Sequence, residues 1–438
     1  MTSKILFKQR RDNLMAQLPS DSVVILASAP QYFRNRDSTY PYRQQSDFYY
    51  LTGFCEPEAL ALLIPGRKQG EFILFNRPRD PEVEAWDGPR AGQEGAKTDF
   101  GAGESFAIAA ADELIPKLLS GCQNLFCHLN TNSVFEQKIR TWLSKIVPPS
   151  RFGPTGPSEM IDLGKKLHLM RMLKSSDEVA IMRKAIDITG KAHLKAMQTC
   201  RPGMYEYELE AVLLHEFIRH GARFPAYESI VAAGENACVL HYVNNRDQLK
   251  DGELVLIDAG CEYEYYSSDI TRTFPVNGKF TAPQRAVYEC VLAAQAAVLE
   301  KIKPGLPWIE MQNTAIHELT KGLVSLDILQ GDVNHLIKEK AYRPFYMHGV
   351  SHWMGLDVHD VGPYQWNNAW QTLRPGMVMS CEPGLYIKAG TPGVDKKWWN
   401  IGVRIEDDVL VTETGHEVLS VAIPKSIQEI EYYSRNSH

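Results

Sequence analysis

The sequence predicts a two-domain chain of mixed α/β (α+β) class, and three observations carry that reading. Short apolar runs alternate with stretches of helical period along the 438 residues. A proline-rich break separates the first third from the rest. A nine-residue pattern then occurs twice in the second part, which implies an internal repeat.

In the first part, Val23–Leu26, Ala59–Ile64 and Phe72–Phe75 read as buried strands, and Gly66 and Gly70 mark a hairpin turn between the last two. Helical spacing follows over Glu104–Leu119, then a further apolar run at Leu125–Cys127. Four prolines and two glycines between Pro148 and Pro157 break any regular element. Beyond them, Ser175 and Glu178 have the spacing of a capping box, in which each side chain takes the other residue's backbone N–H. Met182, Ala185, Ile186 and Thr189 continue one face of that helix. The domain boundary is therefore placed within 150–174, giving domains 1–173 and 174–438.

The second part continues with a helix over Tyr205–His220, stopped by Gly221. Strands are expected at Ser229–Ala232, Leu254–Asp258 and Ile270–Val276. Helices at Pro283–Lys301 and Trp308–Leu323 come next. Strands return at Met377–Ser380, Leu385–Lys388, Val403–Glu406 and Val409–Thr412. Helices followed by strands thus appear twice, and the two strand sets carry the repeated pattern. Gly252–Gly260 and Gly376–Gly384 each read as glycine, five mostly apolar residues, an acid, one residue, and glycine. The acids are Asp258 and Glu382. Acids commonly begin turns after strands, but a carboxylate ending a buried strand is costly without a partner. Two of them in matching frames point to a shared task.

Composition removes several function classes. The 53 acidic against 47 basic residues give a net charge of −6 with no basic stripe, so no nucleic acid is expected as a partner. Lys4, Lys8, Arg10, Arg11 and Asp12 interrupt any signal-peptide core, and no apolar run is long enough to cross a bilayer. No membrane is expected, and the expected compartment is the cytoplasm. Eight scattered cysteines without a Cys-x-x-Cys pair argue against a thiolate metal site or a redox motif. His215 and His220 flank Glu216 but stand five apart, which separates them by about 140° around a helix, so they do not form a zinc-protease pair. Gly349-Val350-Ser351-His352-Trp353 lacks the last glycine of a nucleophile elbow. No phosphate-binding loop or dinucleotide fingerprint occurs.

What remains is a set of strand-end carboxylates, Asp258, Asp269, Glu382 and Glu406, and a histidine-rich stretch from His348 to Asp360 that holds His352 and His359. Alternation puts Arg404 and Glu406 on one strand face. Four carboxylates with one imidazole make a hard, oxygen-rich donor set that favours Mn²⁺, with Co²⁺ or Zn²⁺ as the other candidates. Four carboxylates exceed the needs of one divalent ion and suit two ions that share ligands.

These residues, in this order, resemble the signature of the pita-bread metallopeptidases. The likeness covers Asp258-Ala259-Gly260, Asp269–Thr273, His348–Gly355, Glu382-Pro383-Gly384 and Arg404–Asp407. Segments at Tyr40–Gln44, Asp47–Phe54, Arg219–Arg223 and His241-Tyr242 extend it over nearly the whole chain, and the nearest likeness is to the aminopeptidase P branch. The resemblance implies an N-terminal α/β domain for substrate access and assembly, followed by a catalytic pita-bread domain whose pseudo-twofold is the internal repeat. It implies a pair of divalent ions, usually manganese, held by Asp258, Asp269, His352, Glu382 and Glu406. Asp258 serves one ion, His352 and Glu382 the other, and Asp269 and Glu406 bridge. The implied reaction is hydrolysis of an N-terminal Xaa-Pro bond in peptides with proline second. Prolidase, on the same ligands, is the alternative, and an inactive binding module a remote one.

By the same likeness, Glu382 shuttles the proton, and His241 and His359 hold the carbonyl or its oxyanion. His348 lines the proline pocket. On the residues themselves, Arg404 shares the Glu406 face and either binds substrate or orients that carboxylate, and Tyr386 either faces the same cleft or packs in the core. Asp37 and Trp86 match positions with which the N-terminal domain narrows the cleft or reaches a neighbouring subunit. The expected assembly is a homo-oligomer, a dimer or a tetramer.

Overall fold

The computed structural model describes residues 4–146 and 156–435. Pro148, Pro149 and Pro154 of the expected break lie outside the described residues. The chain divides into two compact units, Met1–Leu169 and Met170–His438.

In the first unit the apolar runs become strands because their buried faces share one sheet. Its elements in chain order are α1 (Lys4–Met15), β1 (Ser22–Ala27), α2 (Ser46–Thr52), β2 (Leu60–Leu63), β3 (Phe72–Asn76), α3 (Pro81–Asp87), α4 (Gly92–Thr98), β4 (Glu104–Ala107), α5 (Ala111–Leu119), β5 (Asn124–Cys127), α6 (Ser133–Ser144) and β6 (Glu159–Asp162), with α7 (Gly164–Met172) running out of it. The strands form one mixed sheet in the order β4-β3-β2-β1-β5-β6. β2 and β3 pair antiparallel across the expected hairpin, with Leu62 opposite Ile73. Val23, Ile25, Leu62, Ile73 and Leu125 meet Ile115 and Trp142 in the core under α5 and α6.

One helix expectation fails here. Glu104–Ala107 is a strand, parallel to β3 with Ile73 opposite Glu104, and α5 begins only at Ala111. Pairing with an existing sheet edge overrides the helical leaning of an alanine-rich stretch.

The second unit opens with α8 (Ser176–Thr199), capped by Ser175 and Glu178 as the spacing predicts. Then follow α9 (Glu206–Arg219), β7 (Phe224–Pro225), β8 (Ile230–Ala233), β9 (Leu254–Asp258), β10 (Cys261–Tyr263), β11 (Tyr266–Ser267) and β12 (Thr271–Pro275). The second half has α10 (Ala282–Lys301), α11 (Ile309–Ser325), α12 (Val333–Lys338), a short pair β13 (Gln365–Trp366) and β14 (Ala369–Trp370), then β15 (Val378–Cys381), β16 (Gly384–Ile387), β17 (Ile401–Arg404), β18 (Asp407–Val411), β19 (His416–Val418) and α13 (Ile427–Arg435). Gly221 takes φ +94 just past α9, a backbone state that glycine enters without strain.

The halves repeat one design. β9 pairs antiparallel with β12, Asp258 opposite Thr271, and β15 pairs antiparallel with β18, Cys381 opposite Asp407. The expected strand Val403–Glu406 is broken: β17 ends at Arg404 and β18 starts at Asp407, which leaves Glu406 at the joint. Glu382 stands at the facing joint between β15 and β16. The glycines that close the two sequence repeats share a steric role. A Cβ at Gly260 would strike the Ser268 carbonyl, and one at Gly384 would lie 2.9 Å from the Val403 carbonyl. Each absence of a side chain lets the partner strand, with its own acid, close onto the first.

Candidate metal centre

The strand ends and joints deliver their acids to one place. Asp258 ends β9 and Asp269 stands two residues before β12, so the antiparallel pairing sets them side by side. His352 is brought in by a segment hydrogen-bonded along β15: the Ser380 N–H donates to the His352 carbonyl and the Glu382 N–H to the Val350 carbonyl. Donor atoms of Asp269, His352 and Glu406 all lie within 4.8 Å of one another. His352 Nε2 is 3.3 Å from Asp269 Oδ2, 3.6 Å from Glu382 Oε1 and 4.0 Å from Glu406 Oε1. Asp258 joins through the Tyr227 hydroxyl, which donates to Asp258 Oδ1 at 2.6 Å and also lies at hydrogen-bond distance from Asp269 Oδ1. All five expected donors therefore line one cleft of about 260 Å³, together with His241, His348, His359 and Arg404.

Electrostatics shows what this cluster demands. Burial, then the neighbouring Asp269, Glu382 and Asp258, holds the Glu406 carboxyl far above its ordinary range. Burial and Asp258 raise Asp269, while His352 and Tyr227 oppose the rise. Glu382 is pushed up to about 7, chiefly by burial and also by Asp269 and Asp258, against His352 and Arg404. Burial works against the His352 imidazolium, but the Asp269 hydrogen bond and the Glu382 charge prevail and raise it to about 9. Carboxylates crowded out of water need positive charge among them. Divalent metal ions would answer that demand, and the donor set of four carboxylates and one imidazole fits them.

Asp258 is the exception. Burial works to raise it, yet the Arg404 charge and hydrogen bonds from Tyr227 and Arg404 leave it lowered. Arg404 is itself buried. Its Nη2 donates to Asp258 Oδ2 at 2.6 Å and its Nη1 to the Tyr386 hydroxyl at 2.9 Å. His348 Nε2 is 2.8 Å from that same hydroxyl. Burial, then Arg404, lowers the His348 imidazole to about 4, so it stays neutral near pH 7.

His359 packs edge-on against His352 with centroids 4.4 Å apart, and His241 and His359 are exposed on the cleft wall. Tyr386 is fully buried, and its hydroxyl meets His348 and Arg404 of the cleft. In the first unit, Asp37 is exposed in a loop, and Trp86 is 89% exposed on α3.

Several supporting residues escape a reading of motifs. The Thr271 hydroxyl donates to Glu406 Oε2 at 2.7 Å, and the alternation of Asp269 with Thr271 could have signalled that shared face. The Asp269 backbone N–H donates to Asp408 Oδ2 at 3.1 Å. Arg272, wholly buried, pairs with Asp407 at 2.8 Å and also bonds the Glu406 carbonyl, so it clamps the joint that presents Glu406. Tyr227 carries no local sequence signal, because only the folded chain sets it between two acids.

Comparison with known proteins agrees with this geometry. Residues 180–413 match the model of metallopeptidase family M24, and residues 7–126 that of the aminopeptidase P N-terminal domain. The Xaa-Pro aminopeptidase of Escherichia coli (strain K12) is 46% identical over 97% of this chain and 96% of its own length. This chain belongs to metallopeptidase family M24. Among solved structures, Pseudomonas aeruginosa aminopeptidase PepP superposes with a TM-score of 0.98 at 50% identity, covering 99% of this chain and 98% of that one. E. coli aminopeptidase P with the inhibitor Pro-Leu gives 0.95 at 45% identity, covering 99% of each. The second unit of this M24 enzyme thus has the pita-bread fold, and the first is a mixed α/β domain of the aminopeptidase P type.

Proposed function

We propose that this enzyme is a metal-dependent Xaa-Pro aminopeptidase that releases the first residue of peptides whose second residue is proline. One observation carries the reading: the five-donor cleft stands in a chain 46% identical, over 97% of its length, to an Xaa-Pro aminopeptidase. Asp258, Asp269, His352, Glu382 and Glu406 would hold two divalent ions, Mn²⁺ by the hardness of the donors. Those ions supply Lewis-acid polarisation of the scissile carbonyl and acidification of a water.

The remaining work falls to side chains. Glu382 takes the proton of the attacking water on its carboxylate and delivers it to the leaving proline nitrogen. It is suited to this because its partners are only loosely engaged, with the Ser380 hydroxyl at 3.5 Å and His348 Nδ1 and His352 Nε2 each at 3.6 Å. His241 and His359 present ring N–H groups from the cleft wall to the carbonyl oxygen as it gains charge. The free α-amino group of the peptide lies toward Asp258, which Arg404 holds ionised.

Proline offers no N–H, so recognition rests on ring shape, with His348 and Leu240 forming the wall. Tyr386 and Arg404 position His348 and Asp258. Residues 1–173, with the exposed Asp37 and Trp86, serve substrate access and assembly into a dimer or tetramer, and residues 174–438 carry catalysis. No helix among the described residues is long and apolar enough to cross a membrane, and the proposed compartment is the cytoplasm.

The test is hydrolysis of Xaa-Pro-Yaa against Xaa-Pro after Mn²⁺ reconstitution. Release of Xaa from the tripeptide is expected. A strong preference for the dipeptide would make the enzyme a prolidase, and no turnover of either would leave it a binding module.

A further inference from the structure

The first unit contains a second cluster of metal-type donors. Asp47, in the first turn of α2, is buried; His128 follows β5 directly; His168 lies on α7. The three come from separate parts of the sequence, yet both imidazoles turn Nε2 toward one carboxylate oxygen. His128 Nε2 is 3.0 Å and His168 Nε2 3.2 Å from Asp47 Oδ2. The rings stack with centroids 5.9 Å apart and planes 23° from parallel. His168 makes an aligned hydrogen bond to that oxygen. His128 Nε2 does not: it is buried and has no hydrogen bond among the described residues.

A buried ring nitrogen that meets a carboxylate at 3.0 Å outside hydrogen-bond alignment is poorly placed as a proton donor. It is well placed as a metal donor. Ligands about 2.0–2.1 Å from a tetrahedral zinc ion stand about 3.3 Å from each other. The two nitrogen–oxygen spacings fall close to that edge length, and all three donor atoms lie within 4.8 Å of one another. We infer that Asp47, His128 and His168 form a separate site for one divalent transition ion.

Two imidazoles and one carboxylate make a more nitrogen-rich set than the M24 donors, and they select Zn²⁺ or Co²⁺ over Mn²⁺. With three protein ligands, the fourth position falls to water. The role is structural: the ion clips α2, the end of β5 and α7 together. The inference does not depend on the proposed peptidase activity.

The test is Zn²⁺ stoichiometry of the full chain, stripped with chelator, reloaded with excess Zn²⁺, desalted and measured by elemental analysis. Wild type should hold three ions per chain. His128→Gln and His168→Gln should each hold two, with hydrolysis of Xaa-Pro-Yaa within twofold of wild type. Asp269→Asn/Glu406→Gln, which disrupts the M24 donors, should keep one ion that His128→Gln then removes. With Co²⁺ as the probe in that double variant, a tetrahedral visible absorption band should appear and vanish on adding His128→Gln. Histidine variants that hold as many ions as wild type would overturn the site, and so would an Asp269→Asn/Glu406→Gln variant whose ion content is unchanged by His128→Gln. If a histidine variant fails to fold, the Zn²⁺ content and the Co²⁺ band of the Asp269→Asn/Glu406→Gln variant decide.

Discussion

Asp258 and Glu382 occupy matching positions in the two halves of the second unit, yet the fold treats them oppositely. Asp258 receives Arg404 and Tyr227, each at 2.6 Å, and is held ionised. Among the described residues the Glu382 carboxylate has no partner so close; its contacts with His348, His352 and Ser380 are 3.5–3.6 Å. Its carboxyl is raised to about 7, chiefly by burial. The repeat sets where the two carboxylates stand. What surrounds each one sets its protonation, and with it the proposed division between a fixed anchor and a proton carrier.

Replacing the proton carrier should do the most. Glu382→Ala is expected to lower kcat for Xaa-Pro-Yaa by about 10³-fold or more, through lost proton transfer together with weaker metal loading. Steady-state kinetics and metal content read both effects, and near-wild-type turnover would end the contrast between the halves.

Releasing the anchor comes next. Arg404→Met leaves the buried Asp258 without its cation, and stability should fall by about 3 kcal/mol in urea unfolding. Arg404→Lys, which restores the charge but not the fork, should recover only part of it. No loss in Arg404→Met would mean that Asp258 is not held as described.

A pH series sharpens the same comparison. Without metal, the folded chain keeps a proton on Glu382 that the unfolded chain loses near the ordinary value of 4.5. This group's contribution therefore falls as pH rises from about 4.5 to 7, by up to about 3 kcal/mol in all. In thermal melts with chelator present, Glu382→Gln should exceed wild type in stability by a margin that widens over that window and then levels. Asp258, being lowered, has the opposite sign: its contribution is present above its ordinary 3.8 and fades as pH falls further. A margin that narrows with rising pH would refute the assignment.

The smallest effect is expected on the cleft wall. His359→Ala should reduce kcat about tenfold to a hundredfold with the Mn²⁺ content unchanged. Lost metal would instead make His359 part of the metal-holding set through its contact with His352.

Much of the site is legible before folding because it is written in local patterns. An acid at the end of an apolar strand is conspicuous, and finding two in one frame reveals the repeat and the metal demand together. Ser175 and Glu178 announce α8 because a cap is a contact within four residues. The failures have a different range. Glu104–Ala107 joins β3 although its own composition leans helical, since the deciding hydrogen bonds come from residues about thirty positions away. The joint at Glu406, through which the strand Val403–Glu406 was expected to run, exists because β17 pairs with β16 whereas β18 pairs with β15 and β19.

The sequence by itself determined the class of the fold, the twofold repeat and the hard donor set, because residue type and spacing carry burial and ligand chemistry directly. Tertiary structure alone decided how each donor is tuned. Tyr227 between two acids, Arg404 on Asp258 rather than on Glu406, and Arg272 clamping the Glu406 joint are contacts across distant segments. Burial then turned those contacts into charge states, since out of water a carboxylate takes its protonation from whichever neighbours the fold supplies.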